Sequence, residues 1–269
     1  MSCENGIPGG AASTSTPAGE MAASGNYPSV KSNSTTLSRA ETIVQFALDN
    51  GLPIEFGIGL AGVWAAESEI RTDVYNKDEH RDGYAYRNKH APNADKFTYK
   101  GQTYYKDQAN MMKFGYGKGL AQWSWSRNFE FRDWYNGSEG SRYRSGGPST
   151  MDENAANITA TTVLAQTAFA WHEMQKRTGE FTQAINEIKT KHTKPSQNEP
   201  QFKANITTAV DAVLRGFENG GTKKMASTAQ IDRYTWDGGY SGAMKKRVGR
   251  AIGIYEDLKK NGKFPEYLS

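Results

Sequence analysis

Hydrophobic residues recur at helical spacing over most of the chain, and the first such stretch begins near Ser38. The segment Ser38-Arg39-Ala40-Glu41 matches a capping box, in which the serine and glutamate side chains satisfy free backbone donors at a helix start. Gly51 is a plausible stop for this helix, and Pro53 then opens a second one at a position where proline is tolerated. The apolar positions of the first helix are Ile43, Val44, Ala47 and Leu48.

The second predicted helix carries a carboxylate on its apolar face. Glu67 shares a face with Leu60, Val63 and Trp64, at spacings of seven, four and three residues. A carboxylate in an apolar setting is costly unless it is functional or paired. The helix pattern alone leaves two interpretations open. Glu67 is either a helix-end glutamate, in water or paired with an arginine such as Arg71, or an acid group placed for catalysis.

Residues 72–118 lose the helical period and are rich in Asn, Asp, Gly, Lys and Tyr. Two short β-type runs, 97–99 and 103–105, flank Lys100-Gly101-Gln102 and predict a β-hairpin. Helical spacing returns over 126–136, with Phe129 and Trp134, and residues 137–150 are typical of a long loop.

The C-terminal part predicts four further helices. Their apolar positions are Ile158, Leu164, Ala165, Ala168, Phe169 and His172 in the first; Phe181, Ile185 and Ile188 in the second; Phe202, Ile206, Ala209, Val213 and Phe217 in the third; and Met244, Val248, Ala251, Tyr255 and Leu258 in the fourth. We therefore expect a mostly α (α+β) fold with a small β-hairpin insertion beside a cleft.

The pattern also suggests how the chain is divided. Residues 1–36 are dominated by Gly, Ala, Ser, Thr, Pro and Asn, which predicts a disordered arm or a segment that orders against a partner subunit. The expected units are an arm over 1–36, one domain over 37–260 and a C-terminal tail over 261–269. Within the domain we distinguish 37–136, the loop 137–150 and a helical lobe over 151–260.

Composition narrows the classes of function without choosing one. With 36% hydrophobic and 23% charged residues, the chain has a soluble globular composition. The net charge of +4 favours approach to an anionic polymer but is too small to distinguish a cell wall from a nucleic acid. Because no run of Lys and Arg forms a stripe, we expect no nucleic-acid partner. The densest basic group is interpreted first as a solvated helix face and second as an anion-binding face, and it consists of Lys245, Lys246, Arg247 and Arg250.

Cysteine and histidine usage argues against several kinds of site. The single cysteine, Cys3, allows no disulfide framework and makes a cysteine nucleophile implausible. The four histidines show no metal-ligand spacing, so we expect no metal and no cofactor. We also find no secretory signal and no membrane-spanning stretch, and therefore expect no membrane partner. A phage particle or a holin-type pore would have to deliver such a protein, made in the host cytoplasm, to an external substrate.

A second motif changes the weight given to Glu67. About fifty residues after Ala66-Glu67-Ser68 comes the run 115–123, Gly-Tyr-Gly-Lys-Gly-Leu-Ala-Gln-Trp, followed by Ser126-Arg127. This order resembles the phage tail lysozyme family of the lysozyme-like superfamily, which is related to lytic transglycosylases and goose-type lysozymes. The segments 168–173, 217–221 and 247–255 resemble later parts of that family, so the resemblance extends from about Ser38 to Leu258.

The resemblance implies roles for individual residues. It places the catalytic acid at Glu67 and implies that Gln122 bonds the sugar or an attacking water. On chemistry alone, a loop-stabilising amide is an equally good interpretation of Gln122. A second carboxylate would lie in the loop after Glu67, and of Asp73, Asp78, Glu79 and Asp82 we take Asp73 and Asp82 as the candidates. Solvated loop charges are the alternative for all four.

Candidate sugar contacts surround the same region. Aromatic rings can stack on the apolar faces of sugars, although aromatic cores are commoner. Among Tyr84, Tyr86, Tyr116, Trp123 and Trp125, stacking is attractive for Tyr116 and Trp123, whereas Trp125 is better explained as core. The predicted substrate-binding set is Ser68, Tyr84, Tyr116, Gly119 and Trp123. His172 and Glu173 are interpreted as structural, with Glu173 a remote candidate for chemistry.

The resemblance implies a glycosidase that cleaves the β-1,4 bond between N-acetylmuramic acid and N-acetylglucosamine in peptidoglycan, as a lysozyme or as a lytic transglycosylase. We expect a virion-associated protein, in the tail or inside the particle, whose partners are glycan strands and, through the arm, virion subunits. Two alternatives stay open. One is a structural tail or core protein with little activity, and the other is a wall-binding module that does not cleave.

Overall fold

The computed structural model describes residues 35–74, 96–105, 117–123, 126–152, 156–177, 179–218, 226–232 and 238–269. Several predictions therefore lie outside the described residues, namely those for the arm up to residue 34 and those for Asp78, Glu79, Asp82, Tyr84, Tyr86, Tyr116 and Trp125.

Helix α1 comprises Thr36–Asp49 and begins earlier than the sequence pattern predicts. Its N-cap is Thr35, whose side-chain oxygen accepts a hydrogen bond from the Ser38 backbone N–H at 3.1 Å. The predicted capping box at Ser38 is thus wrong, and the Glu41 carboxylate instead pairs with Lys263 at 3.0 Å. The predicted stop is confirmed, because α1 ends two residues before Gly51, which has a φ of +68°.

Helix α2, Ile54–Ser68, is buried on all sides, as expected of a helix that is apolar around its whole circumference. Pro53 is its N-cap, which agrees with the predicted opening of the helix. Two glycines give neighbouring helices close access. A Cβ atom on Gly57 would lie 2.9 Å from the Ala47 Cβ of α1, and one on Gly59 would lie 2.6 Å from the Ala209 Cβ. Small residues on α2 therefore set how near its neighbours pack.

The elements that follow form a hairpin and a helical lobe. They are β1 (Lys96–Tyr99), β2 (Gln102–Tyr105), α3 (Ser126–Asn136), α4 (Ser138–Ser141), a 3₁₀ turn (Ala156–Ala160), α5 (Val163–Arg177), α6 (Gly179–Thr190), α7 (Pro195–Val213), a π turn (Leu214–Glu218), α8 (Thr228–Ile231), α9 (Gly239–Lys260) and α10 (Pro265–Leu268). The predicted hairpin and the helix over 126–136 are confirmed, and α4 adds a short helix inside the predicted loop.

The core is assembled around α2, which packs against α1, α7 and α9. Fully buried rings fill the space between these helices and α3 and α5, among them Trp64, Trp123, Phe131 and Phe169. The fold is mostly helical, as the sequence predicts. None of the described helices is both long enough and apolar enough to cross a membrane.

The hairpin and the chain end are both tied to the helices. Strands β1 and β2 pair antiparallel, with Lys96 opposite Tyr105, and the Tyr99 hydroxyl donates to the Asp133 carboxylate of α3 at 2.6 Å. After α9 the chain packs back onto the domain, where Phe264 and Leu268 are buried in the core. The segment 261–269, expected as a C-terminal tail, is therefore packed structure.

Candidate active site

Glu67 lies in the last turn of α2, immediately before a strained backbone turn. Glu69 and Ile70 both adopt positive φ angles, 55° and 56°. Such values are rare for non-glycine residues, most of all for a β-branched one, and cost about 1–3 kcal/mol each. The Ile70 N–H returns to the Trp64 carbonyl at 3.3 Å and ends the helix, while the Ile70 side chain is fully buried. This turn fixes the direction in which the chain leaves Glu67.

The two motifs that carry the resemblance meet in space. The Ser68 hydroxyl lies 3.0 Å from the Leu120 carbonyl oxygen and 3.1 Å from the Trp64 carbonyl oxygen. Across the loop over 117–123, Lys118 and Trp123 exchange two backbone hydrogen bonds of 3.0 Å. Ser68 thus ties the end of α2 to this loop. Ser68 is only 5% exposed, so the structure does not support the predicted contact with substrate. Its side chain instead anchors the loop over 117–123 to α2.

Gln166 of α5 holds the same loop from behind. Its side-chain oxygen accepts from the Leu120 N–H at 2.7 Å, and its amide nitrogen donates to the Ile158 carbonyl at 3.1 Å and to the Thr161 hydroxyl oxygen at 3.0 Å. Gly119 has a φ of +73°, and a Cβ atom there would lie 2.3 Å from the Gln166 oxygen. Gly119 was predicted to contact substrate, but the structure gives another reason for a glycine here, since any larger residue would collide with Gln166. The sequence analysis did not identify Gln166, although a polar amide within the apolar run 163–170 indicates a buried hydrogen-bonding role.

The Glu67 carboxylate accepts a hydrogen bond from the Arg247 guanidinium of α9. The Arg247 side chain is 6% exposed and that of Glu67 21%, so the pair is partly buried and retains access to solvent at the carboxylate. Arg247 also donates to the Ala243 carbonyl of its own helix at 3.2 Å. The structure thus holds a glutamate at the edge of the core with a buried cation and leaves its carboxylate within reach of solvent.

The partner of Glu67 differs from the one expected. Arg71 instead donates to both carboxylate oxygens of Asp73, at 3.0 and 3.1 Å. The basic group on α9 also divides: Lys245, Lys246 and Arg250 are exposed, whereas Arg247 is buried. Its interpretation as a single solvated face was wrong for Arg247. The available signal was spacing, because Arg247 lies four residues from both Ala243 and Ala251 on the buried face.

Gln122 folds back on its own loop. Its φ is +50°, and its side-chain nitrogen donates to the Gly119 carbonyl at 2.9 Å. This is the loop-stabilising arrangement that the sequence left open. The side chain is only partly buried, and a role toward sugar or water stays a prediction.

Trp123 is not available for sugar stacking, and that prediction is wrong. The ring is fully buried, packed against Phe131 and Phe169 with centroid distances of 5.1 and 5.7 Å. Its indole N–H donates to the Glu173 carboxylate at 2.7 Å, and Arg127 donates to the same carboxylate at 2.8 and 2.9 Å. These contacts support the structural interpretation of Glu173, because its charge is shared by Trp123 and Arg127.

Lys118 is a second buried cation at the loop. Burial lowers its pKa to about 8, against a smaller opposing effect of Asp152. A lysine titrating in this range sits next to Gly119, in the segment that Ser68 ties to α2. The loop therefore carries a charge whose state changes near the upper end of the physiological range.

A separate cleft of about 370 Å³ lies between the hairpin turn, α3, α4 and α5. Residues on its wall include Tyr99, Asp133, Trp134 and His172, and Glu67 is not among the lining residues. His172 pairs with Glu139 at 2.8 Å there. Within the described ranges, no group of three or more His, Cys, Asp or Glu side chains is arranged to hold a metal ion.

Comparison with known families settles the relationship that the motifs suggest. The profile of the phage tail lysozyme family matches residues 38–256, from the first turn of α1 to the last turns of α9. The chain belongs to the phage tail lysozyme family. The matched region contains both Glu67 and Arg247, as well as the loop over 117–123. Neither the curated proteins nor the solved structures compared with the chain gave a significant match.

Membership of the phage tail lysozyme family makes this a lysozyme-like protein, and it points to peptidoglycan as the material acted on and to association with the phage tail. The match itself assigns no role to any single residue.

Proposed function

We propose that the protein is a peptidoglycan glycosidase that cleaves the β-1,4 bond between N-acetylmuramic acid and N-acetylglucosamine, with Glu67 as the catalytic acid. The observation that carries this proposal is the meeting of the Glu-Ser end of α2 with the Gly-Leu-Ala-Gln-Trp loop, through Ser68 and Leu120. Ser68 and Leu120 are 52 residues apart in a chain that belongs to the phage tail lysozyme family.

The chemistry expected of Glu67 is proton donation. Cleavage of a glycosidic bond requires an acid that protonates the leaving oxygen as the bond to the sugar carbon breaks. Glu67 combines a helix-end position, a core on one side and a carboxylate that stays partly open to solvent. Attack by water would make the protein a lysozyme, and attack by the 6-hydroxyl of the muramic acid would make it a lytic transglycosylase. Both routes use the same acid.

The second carboxylate stays a proposal. Asp73 follows Glu67 by six residues, but both of its oxygens accept from Arg71, and its side chain is 40% exposed. It could support the developing positive charge only after that pair opens. Asp82 lies outside the described residues and remains the other candidate from the sequence.

We propose that the setting is a phage particle, where the protein opens the wall locally during entry. The family's association with the phage tail supports this setting. In this proposal the arm over 1–36 attaches the enzyme to virion subunits, and glycan strands are the substrate.

The test compares release of soluble muropeptides from purified peptidoglycan by wild type, Glu67→Gln and Glu69→Gln. Loss of a general acid lowers the rate by about 10²- to 10⁴-fold, so Glu67→Gln should release almost nothing. Glu69 is the matched control, because it is an exposed carboxylate two residues away whose side chain the proposal does not use.

Product analysis by mass spectrometry completes the experiment. Reducing ends would identify hydrolysis, and 1,6-anhydro ends would identify transglycosylation. Equal release by wild type and Glu67→Gln would remove Glu67 from the chemistry. No release by wild type from any wall tested would favour a structural virion protein, or a binding module if the protein still binds the wall.

A further inference from the structure

The most unusual feature of the Glu67 site is that the proposed acid is paired with a buried arginine. An acid that donates a proton must first carry one, whereas a cation at hydrogen-bonding distance favours the ionised form of a carboxylate. The pair joins α2 to α9, two helices whose contact residues are 180 positions apart in the chain. The pair is too buried to be described as an ordinary surface ion pair.

We propose that Arg247 is the positioning residue of this site: it orients the Glu67 carboxylate at rest and receives that carboxylate again each time Glu67 has given up its proton. This inference rests on the function proposed above. It adds a second residue, from a different helix, to the machinery around the acid.

The geometry makes Arg247 the fixed member of the pair. Its side chain is 6% exposed, and a second nitrogen of the guanidinium donates to the Ala243 carbonyl one turn earlier on α9. Glu67 is more exposed and lies at a helix end. The planar guanidinium has donors in a rigid fork, so an arginine held at one nitrogen constrains the direction of what it binds at another. Arg247 therefore directs Glu67, and not the reverse.

Within the part of the chain that the structure describes, other cations around the end of α2 have contacts of their own. Arg71 pairs with Asp73 at the turn after α2. Arg39 of α1 donates to the Glu69 carbonyl at 3.1 Å and to the Thr36 hydroxyl oxygen at 3.2 Å. On the facing loop Lys118 is buried and is influenced by Asp152.

Arg215 in the π turn pairs with Asp211 at 3.2 Å. Among the described residues, Arg247 is thus the cation that the structure places on the Glu67 carboxylate.

The cycle that follows is balanced in protons and charge. A glycan strand entering the site separates the two side chains, and Glu67 takes a proton from solvent. The proton passes to the glycosidic oxygen, which keeps the electron pair of the broken bond to the sugar carbon. Water or the sugar 6-hydroxyl then forms the new bond to that carbon and gives its proton to Glu67. As the product leaves, Glu67 returns this proton to solvent, and its carboxylate pairs again with Arg247.

The experiment compares wild type, Arg247→Gln, Arg247→Lys and Arg250→Gln. Arg250 lies on the same helix but is exposed, so Arg250→Gln controls for the loss of one positive charge. The first readout is kcat and KM for muropeptide release at one fixed pH. The second is the NMR chemical shift of the Glu67 side-chain carboxyl carbon at the same pH, assigned with Glu67→Gln, which requires no cleavage.

Loss of orientation in Arg247→Gln should lower kcat by about ten- to a hundredfold, with KM changed far less. The Glu67 carboxyl chemical shift should change as well, because the guanidinium no longer donates to that carboxylate. Arg247→Lys should recover part of kcat. Arg250→Gln should match wild type in every readout.

Two results would overturn the proposal. One is a folded Arg247→Gln with the wild-type kcat and the wild-type chemical shift of the Glu67 carboxyl carbon. The other is an equal change in Arg250→Gln, which would assign the effect to net charge. A chemical shift that changes only in Arg247→Gln, in a wild type that cleaves no wall, supports the orientation of Glu67 by Arg247 and contradicts the proposed function instead. Destabilisation alone would lower activity and leave the chemical shift of the folded variant in place.

Discussion

Gly62 of α2 faces Ala251 of α9 so closely that a Cβ atom built on Gly62 would lie 2.3 Å from the Ala251 Cβ and 2.6 Å from its Cα. Five residues beyond Gly62 is Glu67, and four residues before Ala251 is Arg247. The helices run in opposite directions through this contact, so the glycine sets the distance across which Arg247 reaches Glu67. A backbone packing feature thereby determines the geometry of the candidate site.

Gly62→Ala should therefore lower stability and disturb the site together. The added methyl has no room, since it meets the backbone as well as the side chain of Ala251. Inserting a methylene-sized group into a packed core costs about 1–3 kcal/mol, which urea unfolding measures directly. Gly249→Ala on α9 is the matched control, because a Cβ atom there meets nothing within 4 Å.

The control should behave in the opposite way. Alanine at an open helical position is favoured over glycine by up to about 1 kcal/mol, so Gly249→Ala should unfold at an equal or higher urea concentration. Equal stability of the two variants would mean that α2 and α9 are not packed as closely as the contact between Gly62 and Ala251 requires.

The spacing of hydrophobic residues predicts most helices and the hairpin because it reflects which side of each element is buried. The apolar spacing of α2, the β-type runs of the hairpin and the helix over 126–136 all depend on neighbours within a few residues. The N-cap was misplaced because Ser38 and Glu41 satisfy one local motif while Thr35, three residues earlier, offers a capping hydroxyl of its own, which accepts from the Ser38 N–H. The sequence pattern alone does not choose between two capping residues so close together.

The candidate site was only partly predictable for a related reason. The Glu-Ser and Gly-Leu-Ala-Gln-Trp motifs could be paired from the resemblance alone. The partner of Glu67 could not, because choosing Arg247 over the adjacent Arg71 requires the packing of α9 on α2. Trp123 was misjudged since an aromatic residue beside Gln122 suits a sugar site and a core equally well, and only its contacts with Phe131 and Glu173 decide between them.

Lys118 should make the stability of the protein rise with pH. Its pKa in the folded protein is lowered to about 8 by burial, from an ordinary value of 10.5. Between these values the unfolded chain binds more protons than the folded protein, so alkaline pH favours folding. Below the folded value the cost of burying the charge is fully present. As pH rises from about 8 to about 10.5 that cost is relieved.

The comparison of wild type with Lys118→Met isolates this effect. The difference in unfolding free energy between the two should shift in favour of wild type as pH rises through that window. Lys245→Met, at an exposed position of α9, should show a difference that does not vary in the same range. A Lys118→Met difference that stays constant with pH would show that the lysine is charged and solvated in the folded protein.

Glu173→Gln should separate a structural carboxylate from the proposed catalytic one. Glu173 is 5% exposed and accepts hydrogen bonds from Trp123 and Arg127, whose side chain is 15% exposed. Removing one charge of a buried pair leaves the other uncompensated, so we expect a loss of about 3 kcal/mol in stability. The variant that still folds should retain the wild-type kcat, because the Glu173 carboxylate serves a tryptophan and an arginine.

Thermal unfolding and muropeptide release at a temperature below both melting points measure the two effects separately. Glu130→Gln, an exposed carboxylate on α3, should change neither quantity. If Glu173→Gln were as stable as wild type and inactive, the acid would have to be sought at Glu173, and the assignment to Glu67 would fall.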